Sequence, residues 1–238
     1  LILTGSNGQL GNYITKFFLS LGCKVYGLDK VKKNSILNKN YFFKKIDISN
    51  EKETKKVLKY IKKKEKKIDI IINGAASSPT THFSKRNKKE LNETLNTNII
   101  GTLNVIKAFY EVQNKNCKII NFGSIYGVRS PDFKIYGEKD RINSEIYGGT
   151  KAAIIQITKY FAVFLSKKNI SVNCISPGGI LNKSIQSKKF IKKYSNKVPM
   201  GRMGKPEDLA MALLYFSNDT TNYTTGQNLV IDGGFTIC

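Results

Sequence analysis

Short apolar runs of strand length alternate with longer, helically spaced segments along the whole chain, and that alternation constrains the fold more than anything else in it. The runs fall at residues 1–4, 24–28, 41–46, 68–73, 118–122, 171–175 and 228–231, the helical segments at 10–21, 51–64, 88–112, 147–167 and 206–217. Near-continuous apolar strands separated by helices predict a parallel sheet covered on both faces. The expected architecture is a doubly wound α/β sheet of about seven strands in three layers, α/β/α, spanning residues 1–238 as a single domain. Ligands of such sheets bind beyond the carboxyl ends of the strands. Two long connections stand out there: a loop at about 127–146 and a lysine-rich stretch at about 179–199, read as an active-site loop and a lid.

Directly after the first strand comes Thr4-Gly5-Ser6-Asn7-Gly8-Gln9-Leu10-Gly11, running into a helix. Glycines there allow a tight turn and let the backbone approach a pyrophosphate seated at the helix N-terminus. Gly5, Asn7, Gly8, Gln9 and Leu10 are therefore candidate cofactor contacts in a Rossmann-type nucleotide site. Asp29 ends the second strand 24 residues after Gly5. A carboxylate there accepts bonds from ribose hydroxyls and repels a 2′-phosphate, which favours NAD(H). An ordinary turn residue is the plain alternative, and Lys30, Lys32 and Lys33 nearby leave NADP(H) open.

Tyr147-Gly148-Gly149-Thr150-Lys151 puts a phenol and an ammonium on one helix face. A free tyrosine near pKa 10 is a poor acid or base at neutral pH, and a nearby cation lowers that value. The same spacing occurs at Tyr26/Lys30, Tyr41/Lys45 and Tyr60/Lys64, so it proves little alone. Only Tyr147 opens a small-residue helix entry downstream of a strand ending in Gly123-Ser124.

With these residues the chain resembles the short-chain dehydrogenase/reductase family along essentially its whole length. The resemblance implies Tyr147 as acid/base, with Lys151 binding the nicotinamide ribose and lowering the tyrosine pKa. It implies that Ser124 bonds the reacting oxygen and that Asn98, in Asn-Thr-Asn-Ile-Ile-Gly, supports a proton relay. Asp47-Ile48 resembles the pair flanking the adenine. Asn73-Gly74-Ala75 resembles the Asn-Asn-Ala that ends the fourth strand, with Gly74 in place of the second asparagine. Pro177, Gly178 and Ile180 match the turn beside the nicotinamide, and the closing segment through Asp232-Gly233-Gly234 matches the single-domain branch. The implied reaction is hydride transfer between NAD(P) and a carbonyl or hydroxyl carbon.

Other features resemble the extended, sugar-nucleotide-modifying branch. They are the Gly-x-x-Gly-x-x-Gly turn, the Ser-Ile-Tyr-Gly run with Pro131 and Glu138, and a longer Ser124-to-Tyr147 spacing than the single-domain branch usually shows. Tyr136 stands nearer the usual distance, but Asp140 follows it where lysine is required. The pattern therefore points to a sugar or sugar-nucleotide substrate of cell-surface glycan pathways; a phosphorylated substrate would suit the lysines of the 183–197 lid, with a solvated face as the plainer account of each. A nucleotide-sugar epimerase or dehydratase, or a non-enzymatic cofactor-binding regulator, is the alternative. The family resemblance also implies a homodimer or homotetramer, with Phe161, Val163, Phe164 and Leu165 as contact candidates.

A net charge of +23 raises a nucleic-acid partner, yet only Arg86, Arg129, Arg141 and Arg202 among 40 basic residues are arginine. Base and bidentate phosphate readout favour Arg, so the lysines read as solvated faces, mostly helical ones in the runs Lys52–Lys67 and Lys183–Lys197, and no nucleic-acid partner is expected. Four scattered cysteines and one histidine predict neither disulfide framework nor metal site, and suit a reducing, cytoplasmic setting. No apolar run reaches membrane-span length. Leu1 falls inside a strand pattern, so a short N-terminal piece is expected before it.

Overall fold

A computed structural model describes residues 1–31, 36–79, 81–113, 115–137, 142–221 and 223–238. Lys32, Lys33, Glu138 and Asp140 lie outside them. Seven strands form one parallel sheet: β1 (Ile2–Thr4), β2 (Val25–Asp29), β3 (Tyr41–Lys45), β4 (Ile70–Asn73), β5 (Cys117–Phe122), β6 (Ile170–Pro177) and β7 (Asn228–Ile231). Their order is β3-β2-β1-β4-β5-β6-β7, and every pairing is parallel, with Leu3 opposite Gly27 on one side and Ile72 on the other. This is the Rossmann-like, three-layer α/β/α architecture expected.

Helices cover both faces, because buried strands leave apolar side chains on each side. On one face Leu58 and Ile61 of α2 (Glu51–Glu65), Val105 and Phe109 of α4 (Gly101–Val112), and Ala162 and Leu165 of α5 (Glu145–Leu165) pack on Ile2, Ile71 and Ile119. On the other, Ile14 and Phe18 of α1 (Gln9–Ser20) and Leu213 and Phe216 of α7 (Ala210–Ser217) pack on Leu3, Ile72 and Ile120. A third cluster, with Ile125, Tyr136, Phe190, Tyr194 and Phe235, lies apart from both and joins the two long connections.

Three elements differ from the expectation. The helix predicted at 88–112 is α3 (Lys88–Leu95) and α4 joined by a π segment, Asn96–Ile100. The one predicted at 206–217 starts as a 3₁₀ turn, Pro206–Leu209. A helix appears inside the lid, α6 (Lys188–Ser195), capped by the Ser187 side chain and burying Phe190 and Tyr194 four residues apart.

Candidate active site

The glycine turn leaves β1 where the strand order reverses, which is where doubly wound sheets bind ligands. Gly5 has φ +71°, and a Cβ on Gly11 would sit 2.0 Å from the Gly5 carbonyl oxygen, so only glycine lets α1 start this close to the turn. Among the α-helices with a non-helical N-cap residue, α1 alone lacks a side-chain cap, whereas Asn50, Asn87, Ser144 and Ser187 cap α2, α3, α5 and α6; nor does an acid stand in the first turn of α1. The uncapped amides of Gln9, Leu10 and Gly11 thus leave a positive helix end suited to a pyrophosphate.

Asp29 closes this turn from β2: its carboxylate accepts from the Asn7 N–H at 2.9 Å and the Val31 N–H at 3.0 Å. The Asn7 side chain bonds the Val31 carbonyl, so Asn7 ties the turn to β2. Gln9 donates to the Leu181 carbonyl at 2.7 Å and accepts from Asn182, so its side chain fastens the lid and only its backbone faces a cofactor. Asp47 is exposed beyond β3, while Ile48 is buried in the core and offers only backbone. The Asn73 amide is buried against Asn121 at 2.8 Å, which binds β4 to β5 instead of reaching the cleft. Gly74 and Ala75 donate to the Thr4 hydroxyl, each at 3.1 Å, holding the β4 exit against β1.

A cavity of about 270 Å³ runs from Leu10 and Gly74 past Pro177, Gly178 and Ile180 to Ser124, Tyr147 and Lys151. The catalytic candidates meet there because glycines let their elements touch. A Cβ on Gly127 would lie 2.7 Å from the Lys151 backbone, and one on Gly148 2.9 Å from the Tyr126 carbonyl oxygen. The Ser124 turn therefore lies directly on α5. Ser124 Oγ accepts from the Tyr126 N–H at 3.1 Å, which leaves its own hydrogen to donate into the cavity. Lys151 is 4% exposed and donates to the Phe122 carbonyl at 2.7 Å. Its ammonium lies 5.6 Å from the Tyr147 ring centroid, and burial pushes its pKa down to about 8.

Asn98 sits in the π segment, a helix irregularity found often at functional sites. Its amide accepts from the Ser77 N–H at 2.7 Å and donates to the Ser77 carbonyl at 3.0 Å and to Thr150 Oγ1 at 2.9 Å. Thr150 in turn donates to the Tyr147 carbonyl. The Asn98 side chain is thus spent on bracing the stretch of α5 that carries Tyr147 and Lys151. It is a positioning residue.

A second, larger cavity of about 1080 Å³ adjoins the first and shares Tyr126 and Asn143 with it. Its walls include the exposed apolar side chains of Phe83, Val128, Phe133 and Ile142. None of the lysines of the lid lines either cavity; Lys193 bonds the Lys134 carbonyl and Lys197 pairs with Asp132. Sequence reasoning missed Thr150 and Asn143, whose roles depend on distant partners and carry no local signal.

A family model described as enoyl-(acyl carrier protein) reductase matches residues 11–236, and the chain belongs to the short-chain dehydrogenase/reductase family of oxidoreductases. Among curated relatives it is similar to the 3-oxoacyl-[acyl-carrier-protein] reductase FabG of Thermotoga maritima, 28% identical over 99% of this chain and 97% of the relative. A solved short chain dehydrogenase from Leptospira borgpetersenii with bound NAD+ superposes with a TM-score of 0.92 at 38% identity, covering 99% of this chain and 91% of the other. ElxO with NADP bound follows, with a TM-score of 0.88, 25% identity and coverage of 100% and 98%. Structural neighbours thus hold either nicotinamide cofactor.

Proposed function

We propose that this protein is an NAD(H)-dependent reductase of a carbonyl compound, and that a 3-oxoacyl thioester is the substrate class that fits it best. The observation that carries the substrate class is the large apolar-walled groove opening from the catalytic cavity at Tyr126 and Asn143, with room for the long arm of an acyl thioester. The curated relative named above acts, by its name, on such a compound. When bound, the nicotinamide supplies or accepts the hydride. Ser124 donates to the reacting oxygen, Tyr147 passes its phenolic proton to that oxygen, and Lys151 holds positive charge beside the phenol. The preference for NAD(H) rests on Asp29, whose carboxylate at the β2 terminus repels a 2′-phosphate.

The sugar or sugar-nucleotide substrate suggested by the loop spacing has less behind it. The lid lysines that would suit a phosphate face solvent or the neighbouring loop, and none of the names given above for relatives mentions a sugar. Both classes enter one experiment. Purified protein is given NADH with acetoacetyl-N-acetylcysteamine or with a 4-keto nucleotide sugar, and NADH absorbance is followed. Oxidation of NADH with the thioester alone supports the proposal. Turnover of the nucleotide sugar alone replaces the substrate class and keeps the chemistry.

A further inference from the structure

A polar cluster beside the catalytic residues takes no part in the chemistry described above. Tyr126 follows Ser124 by two residues and lines both cavities. Its hydroxyl lies 2.9 Å from that of Tyr136, and Asn143 Nδ2 donates to Tyr136 Oη at 3.2 Å. Tyr136 and Asn143 both come from the long connection before α5, and Tyr136 is held under the lid by Phe190 at 5.4 Å between ring centroids.

The hydrogens of this cluster do not balance. Asn143 donates to Tyr136 Oη, and the two phenols share a single hydrogen bond in which either can be the donor. One phenolic hydrogen of the pair is left with no protein acceptor among the described residues, and of the two phenols it is Tyr126 that lines the cavities. Burial pushes the Tyr126 phenol well above its ordinary pKa, so it stays protonated and acts only through hydrogen bonds. A half-buried hydroxyl with an unused hydrogen on a cavity wall suits an acceptor on the ligand.

We propose that the Tyr126 hydroxyl, set by Tyr136 and Asn143, is a substrate-positioning donor for a second substrate oxygen, the thioester carbonyl of a 3-oxoacyl thioester. The inference rests on the reaction proposed above. Ser124 and Tyr147 hold the reacting carbonyl, and the two carbonyls of such a substrate are separated by one carbon. The second oxygen therefore passes Tyr126 as the arm beyond the sulfur enters the groove. Tyr136 and Asn143 are on this view specificity residues supplied by the connection before α5.

The test compares acetoacetyl-N-acetylcysteamine with its thioether analogue, in which a methylene replaces the thioester carbonyl. The parent discriminates in KM between the two. In Tyr126→Phe that discrimination falls by about five- to tenfold, the value of one neutral hydrogen bond, with kcat for the thioester retained. Tyr136→Phe moves the ratio the same way and by less. An unchanged ratio overturns the inference, and so does a loss shared equally by both compounds, which marks a structural role. If the parent reduces neither compound, the proposed reaction falls, and calorimetric titration of the thioester onto the NAD+ complex then decides the donor separately. Weaker binding to Tyr126→Phe than to the parent upholds the donor, and absence of binding to the parent, or equal binding to both, sinks it.

Discussion

Lys151 is the residue at which the site sets chemistry against stability. Its ammonium is buried, and its pKa falls to about 8 from an ordinary value of 10.5. Below about pH 8 the folded protein carries a desolvated charge, and between there and 10.5 it has lost a proton that the unfolded chain keeps, so stability rises with pH across that window. Lys151→Met should therefore be more stable than the parent at neutral pH by roughly 1–3 kcal/mol, and inactive. Urea unfolding should show the advantage shrinking above about pH 8 and gone near 10.5; an advantage independent of pH would refute the explanation. Asp29 is a second test at this scale. Its carboxylate holds the Asn7 and Val31 amides, so removal of the side chain would loosen the turn as well as the charge. Asp29→Asn keeps the shape and one of the two acceptors, and the ratio of NADPH to NADH dissociation constants should drop by roughly tenfold, equivalent to about 1.4 kcal/mol. A ratio that stays put would remove the basis for an NAD(H) preference.

At the scale of elements, what could be read from sequence was whatever depends on neighbours along the chain. The glycine turn, the Tyr147/Lys151 face and the strand runs are local patterns, and their elements stand where the spacing put them. The π segment is different. Nothing near Asn98 announces that its amide will clamp Ser77 and Thr150, residues brought close only when β4 and α5 have packed. The lid helix α6 was legible only as a helical face of lysines, because four lysines in eight residues mask an apolar face made of Phe190, Ile191 and Tyr194. The Ser187 cap three residues before Phe190, with Tyr194 four beyond, was the signal available. Because Asn98 satisfies three polar groups at once, Thr150 buried and both Ser77 groups half-buried, Asn98→Ala should cost about 1–3 kcal/mol and lower kcat more than it raises KM for NADH. Steady-state kinetics and thermal melts of the variant check both halves. A normal kcat would show that α5 holds Tyr147 and Lys151 without this brace.

The whole molecule presents two kinds of surface, and they predict different partners. Most of the +23 charge is lysine on exposed faces, which keeps copies of the chain apart in dilute salt. Against that background one apolar patch stands out on α5, where Tyr160 is 61%, Val163 79% and Phe164 52% exposed. The Tyr160 and Phe164 rings stack at 6.0 Å, and Tyr110 of α4 adjoins Phe164 at 5.9 Å. The contact candidates read from sequence divide here. Val163 and Phe164 face outward, whereas Leu165 is fully buried and Phe161 packs on the core, because a helix lying on a sheet turns alternate sides to core and solvent. Exposed aromatics grouped on two neighbouring helices suit a second copy of the chain more than solvent. The same helix carries Tyr147 and Lys151 in its first two turns, so association there would stiffen the element that holds the catalytic pair. The expected outcome is a dimer or tetramer by sedimentation at moderate salt, shifted toward monomer by Val163→Glu with Phe164→Glu. Since neither substitution touches the cavity, any accompanying loss of kcat would measure how far the site depends on its partner copy, and a parent that sediments as a monomer would leave the patch to another use.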